Sequence, residues 1–147
     1  SRDWSSDVCS SDLGGATVRV LAGTYDGATG PAKAQTPIRI LDARLEAETA
    51  WTITPVDGHN VFCCVYEGAI TAVDDQGAER AVTAPAVAVF SGDGPIEIPA
   101  GADGAEILYC EGHPINEPVA RYGPFVMNTR KEIEQAVRDY NDGTLAT

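Results

Sequence analysis

Positive charge is scarce in this chain: 10 Lys and Arg stand against 22 Asp and Glu, a formal net charge of -12 over 147 residues. That balance repels phosphate backbones and anionic lipid, which disfavours direct nucleic-acid or membrane-surface binding. Histidine is scarcer still. With only His59 and His113, a His-rich metal cluster has no material here. Four cysteines at irregular spacing give no disulfide framework, which fits a reducing compartment. No run approaches the roughly 18 apolar residues that suggest a membrane-spanning helix, and the first residues lack the charged start and apolar stretch of a signal peptide. A cytoplasmic protein is the expectation. What is present is ordinary for one folded domain: 44% hydrophobic and 22% charged residues.

The start of the chain stands apart. Residues 3–13 read DWSSDVCSSDL, which resembles a sequencing-library adapter translated in frame. Read as natural, the same stretch would be a Ser/Asp-rich disordered tail. Residues 1–13 are therefore set aside as a non-native tail that contributes nothing to folding, with Trp4 and Cys9 carrying no function. The domain is taken as 14–147, and the gene is expected to extend further upstream.

From Gly15 onward, short β-prone runs alternate with turn residues. The runs are ATVRVLA, TPIRILDARL, AWTIT, NVFCCVY, AITAV, PAVAVF, PIEI and AEILYC. Turns are predicted at 27–31, Asp57-Gly58, Glu67-Gly68, Asp75-Gln76-Gly77, Gly92-Asp93-Gly94 and 101–104. Such spacing predicts an all-β antiparallel sandwich or barrel. In NVFCCVY, Val61, Cys63 and Val65 share one face and Phe62, Cys64 and Tyr66 the other, which predicts a central strand covered on both sides. AVAVF reads the same way. Arg39, Asp42 and Arg44 suggest a wetter face along the second run.

One helix closes the pattern. Thr129-Arg130-Lys131-Glu132 forms a capping box. Ile133, Ala136, Val137 and Tyr140 follow at helical spacing, and Asn141-Asp142-Gly143 supplies the stop. Lys131, Glu132, Glu134, Arg138 and Asp139 make its solvated face.

Just before that helix lie Glu117-Pro118-Val119 and then GPFVMNTRKEIEQAVRDY, from Gly123 to Tyr140. Together they resemble the C-terminal end of pirin-family proteins. TVRVLAG, with Gly30-Pro31 and Thr36-Pro37, resembles the start of the same domain, and GHNVFCCVYEG (Gly58 to Gly68) its central hairpin. The resemblance implies two cupin barrels in the intact protein. This chain would be the second, a jelly-roll-like antiparallel β-barrel with one C-terminal α-helix, and its partner would be the N-terminal cupin missing from it. It further implies that iron or another divalent metal belongs to that first barrel, and that the intact protein acts as a quercetin 2,3-dioxygenase. Some relatives are transcription cofactors, so a protein-interaction module is an alternative, as is an independent small-molecule-binding cupin.

Motif spacing argues against a metal in this half. A metal-binding cupin presents His-x-His, three or four residues, Glu, six residues and Gly. Anchored on Gly68, the Glu position falls on Val61 and the His positions on Pro55 and Asp57, or on Thr54 and Val56. The second motif, Pro-x-Gly-x-x-His, anchored on Pro85, puts Val87 at Gly and Phe90 at His. Only Asp57 is a ligand type, and one carboxylate makes no site. The expectation is a degenerate cupin with no catalytic, cofactor-binding or metal residues.

The other reactive residues have plain readings beside functional ones. His59 is either a relic ligand or a rim residue with a satisfied hydrogen bond. Cys110 and His113, with Glu111 between, have metal-like spacing but no second pair. Cys63 and Cys64 are expected to be buried free thiols. Pro124-Phe125-Val126-Met127 is an apolar run read as extended but outside the strand pattern. It either covers the barrel mouth or, with Tyr122 nearby, contacts the N-terminal cupin.

Overall fold

The computed structural model describes residues 10–12, 15–92 and 94–145; Trp4, Cys9 and Asp93 fall outside them. In chain order the elements are β1 (Ser10–Asp12), β2 (Ala16–Ala22), β3 (Thr24–Tyr25), β4 (Ala28–Thr29), β5 (Ile38–Leu45), β6 (Ala50–Ile53), β7 (Asn60–Val73), β8 (Glu79–Thr83), β9 (Ala86–Phe90), β10 (Ile96–Gly112), β11 (Ala120–Tyr122), β12 (Phe125–Met127) and α1 (Arg130–Asn141). Backbone contacts divide the chain at Pro114/Ile115 into two compact units.

The first unit holds an eight-stranded antiparallel sheet and the short β3–β4 hairpin. The sheet order is β1-β2-β5-β10-β7-β8, with β6 also on β10 and β9 also on β7. Two strands carry the topology. β10 pairs with β6 over Ile96–Pro99 and then with β5 from Ala105 onward. β7 pairs with β9 at its start and β8 at its end, and lies against β10 along its length. Each was read from sequence as two strands joined by a turn. Instead each bends without breaking, at Gly68 and around Gly104, where the ladder between them shifts register. Both glycines have positive φ, +70° and +78°, a conformation that costs an L side chain but not glycine.

Alternation then builds the core. β2 shows strict buried/half-buried alternation, and Val18, Val20, Leu41, Ile98 and Ile107 are buried from both halves of the sheet. Trp51 on β6 meets Tyr109 on the far half of β10 edge to face, with centroids 5.7 Å apart. That contact folds the two regions of the sheet over one shared core.

Period two also corrects two expectations. In β7, Val61, Cys63 and Val65 are buried while Phe62, Cys64 and Tyr66 stay partly exposed, so that strand is central by hydrogen bonding but buried on one face. β9 follows it, with Val87 and Val89 exposed. Arg39 does not share a face with Asp42 and Arg44. It has the parity of Leu41, Ala43 and Leu45, the core side. Asp42 is buried too, holding Arg19 at 2.6 Å and the Tyr66 hydroxyl at 2.5 Å, so only Arg44 of the three is exposed.

Six strands went unread. ERAVT (β8) carries little hydrophobic pattern, and β1, β3, β4, β11 and β12 are only two or three residues long. β1, inside the stretch set aside as a tail, pairs with β2 through Ser10↔Arg19 to Asp12↔Thr17, so the sheet begins before residue 14.

The second unit is a hairpin, β11–β12, with α1. The apolar stretch read as lying outside the strands is in fact β12. The helix follows the sequence closely: Thr129 is its N-cap, the Thr129 hydroxyl accepts from Glu132 N, and Glu132 Oε2 accepts from Thr129 N at 2.7 Å. The Thr129 hydroxyl also donates to Glu132 Oε2 at 2.9 Å, and that bond first, then the one from Thr129 N, holds the Glu132 carboxyl below its usual range.

The bends supply a test. A Cβ at Gly68 would lie 2.1 Å from the Gly104 carbonyl oxygen, whereas Gly77, at similar φ, has nothing within 4 Å. Gly77→Ala should cost about 1–2 kcal/mol from backbone strain alone, and Gly68→Ala roughly 3 kcal/mol or more because backbone must move. Urea unfolding of both variants checks the difference; equal losses would mean the bend is soft.

Candidate functional site

One row of residues crosses the core side of the first unit. Arg39 on β5 pairs in register with Glu111 on β10, Glu111 with Val61 on β7, and Val61 with Phe90 on β9. At its centre is a carboxylate with no solvent exposure. Glu111 Oε2 accepts from Arg39 Nη2 at 2.8 Å and from the Tyr109 hydroxyl at 2.6 Å. Its Oε1 accepts from Val56 N at 3.4 Å and lies 3.5 Å from His59 Nδ1.

Arg39 is fixed from several sides. Its Nη2 also donates to the Thr54 carbonyl at 2.9 Å, and its guanidinium lies over the rings of Tyr25 and Tyr109. Tyr25 in turn accepts from Trp51 Nε1 at 3.1 Å. Burial, and then the Glu111 hydrogen bond, push the Tyr109 phenol well above its usual range, so it stays a neutral donor. Among the described residues, Arg39 Nε and His59 Nδ1 lack hydrogen-bond partners.

This row contains two of the positions that motif spacing assigned to metal ligands, Val61 and Phe90. Val61 is buried and apolar, and Phe90 packs against the core. Val87, Val56 and Asp57 are exposed, Asp57 in the turn before β7. The donor set does not fit a divalent cation. The one inner carboxylate already holds a guanidinium 2.8 Å away, and a second cation there would meet like charge at low dielectric. Among the described residues no three His, Cys, Asp or Glu side chains converge as ligands.

The other candidates are dispersed. His59 is nearly buried and its ring meets His113 edge to face at 6.1 Å. Cys110 has the opposite parity from Tyr109 and Glu111, so it faces away from the core and does not converge with His113. Cys63 is fully buried, and burial pushes its thiol up to about 12, which removes it as a nucleophile near neutral pH. Cys64, expected to be buried, is only half so. An open pocket of about 470 Å³ beside His59, lined by the turn at 55–60 and by Phe90 and Ser91, is shallow rather than enclosed in the core. In the second unit, Tyr122 and Val126 are exposed, while Phe125 is half-buried with its ring 5.9 Å from that of Tyr140.

Comparison with known proteins adds the lineage. The family model of the pirin C-terminal cupin domain matches residues 40–146. The chain belongs to the pirin family. A Pseudomonas aeruginosa protein named "Putative quercetin 2,3-dioxygenase" is 38% identical over 138 residues, 90% of this chain and 47% of the relative. A pirin-like protein of Caulobacter vibrioides is 36% identical over 134 residues, covering 88% and 46% respectively. A crystal structure of quercetin 2,3-dioxygenase from Acinetobacter baumannii superposes with a TM-score of 0.78 at 34% identity, over 92% of this chain and 46% of that one. The fold is therefore the pirin-type cupin expected from sequence, and the chain spans about half the length of these relatives.

Motif spacing led to Val61 and Phe90 but not to the charged group beside them. Arg39 and Glu111 were each read singly and Tyr109 was not singled out, so the group they form went unseen. The signal lay in parity, which puts a charge in line with Leu41, Ala43 and Leu45 on one strand and with Ile107 and Tyr109 on another. Arg39→Met should leave Glu111 buried and uncompensated, costing about 3–5 kcal/mol. Adding Glu111→Leu should recover at least half of that. Chemical denaturation of the single and double variants measures the coupling; additive losses would show that the pair is not one unit.

Proposed function

We propose that this chain is the non-catalytic, metal-free half of a two-cupin pirin-like protein, and that it supports an N-terminal cupin carrying the metal. The observation behind this reading is the closed Arg39–Glu111–Tyr109 group next to apolar Val61 and Phe90, where a metal-bearing cupin needs open ligands. The relatives' doubled length supports a first domain. Their names make a quercetin 2,3-dioxygenase, using iron or another divalent metal in that first domain, the activity proposed for the intact protein.

Support requires contact. Tyr122, Phe125, Val126 and Met127 are the proposed inter-domain residues, since the β11–β12 hairpin holds the first and third outward while Phe125 is steadied by Tyr140. An interface of this kind within one chain typically buries about 600–1,500 Å², so the hairpin would be one part of it.

The metal-free reading is checked by elemental analysis after incubation with iron, zinc, copper or nickel and desalting. Well under about 0.1 metal per chain is expected, because among the described residues no three ligands converge. A ratio near one that falls with Glu111→Gln or His59→Ala would contradict it.

A further inference from the structure

The face of the sheet opposite the core is unusually apolar for an acidic chain. Register sets it out residue by residue: Val89 on β9 stands opposite Phe62 on β7, which stands opposite Cys110 on β10. One step along, Val87 stands opposite Cys64 and Cys64 opposite Leu108. These six side chains form two adjacent rows across three strands, with no charged residue among them. Val87 is 59% and Val89 79% exposed, and Phe62 39%; Cys64, Leu108 and Cys110 are half-buried. A soluble surface seldom leaves such a patch without use. A sheet face is flat, which suits another folded domain better than a small ligand.

We propose that this outer face of β9, β7 and β10 is a docking surface for the N-terminal cupin half, separate from the β11–β12 hairpin. The occupant follows from length, since the relatives carry about as many residues again as this chain matches. A domain of that size can cover a three-strand face, and an uncharged patch on a chain of net charge -12 is where contact avoids electrostatic repulsion. The surface rests on the reading that a first cupin half exists, but not on the hairpin contacts.

Cys64 and Cys110 make the face its own reporter. Cys63 is buried on the core side, and Cys9 can be replaced by Ser. The test compares maleimide labelling of this chain alone with that of a chimaera in which the N-terminal half of the Acinetobacter baumannii protein is fused ahead of it. Fusion raises the effective concentration of the two halves, so weak docking still registers. The expected result is that labelling of Cys64 and Cys110 slows by about tenfold or more in the chimaera. Val89→Lys, at an exposed position on an edge strand, should restore the rate without unfolding the chain, while Phe125→Asp should not restore it fully. Unchanged labelling would overturn the proposal. If limited proteolysis still showed the two halves docked through Phe125, the supporting role in the proposed function would survive without the sheet face. Protection seen in the chain alone and rising with concentration would assign the face to a second copy, also overturning the proposal.

Discussion

The ladder between β7 and β10 is the constraint on which the rest of this molecule depends. Both strands are long, both bend at glycine, and each pairs with different neighbours before and after its bend. A sheet strand presents alternate side chains to opposite faces, so fixing this one register fixes what the core receives and what the surface shows. Ile107, Tyr109 and Glu111 go in with Val65, Cys63 and Val61; Leu108 and Cys110 go out with Cys64 and Phe62. A slip of one residue would invert both lists.

On the inner side, the ladder delivers a carboxylate to a place without water. An isolated buried charge is too costly to persist, so Glu111 is met by a guanidinium, a phenol and a backbone amide. The cation that balances it belongs to the protein. In a cupin that binds a divalent metal, the balancing cation is the metal and the ligands must stay open to hold it. Here the guanidinium is carried by β5, lies 5.4 and 6.0 Å from the ring centroids of Tyr25 and Tyr109, and is bonded to the Thr54 carbonyl. The arrangement ties β5 to β10 through a buried charge pair whose two members satisfy each other.

Much of this was legible in the sequence where a pattern repeats. The alternation of ATVRVLA and the capping box at Thr129 both gave elements close to those observed, and the pirin-like segment at 123–140 gave the family. Glycine misled where it was read as a turn. The same freedom of φ that makes a reversal also lets a strand bend and continue, and only the tertiary pairing distinguishes them. Charge misled at Arg39 for a related reason: polarity suggested solvent, parity said core, and parity was right. β8 was missed because a strand of Glu, Arg, Ala, Val and Thr lacks the apolar alternation that marks the others. Cys110, Glu111 and His113 looked like neighbours along the chain, but a strand sends consecutive residues to opposite sides.

The guanidinium of Arg39 holds the cation position at Glu111. The most direct measurement of this is a crystal structure of this chain grown in excess Ni²⁺ or Fe²⁺, with anomalous difference maps at the metal edge. No anomalous peak is expected within coordination distance of Glu111 or His59, with Arg39 still bonded to the carboxylate. A strong peak there, with the guanidinium displaced and the two side chains turned onto the ion, would contradict it.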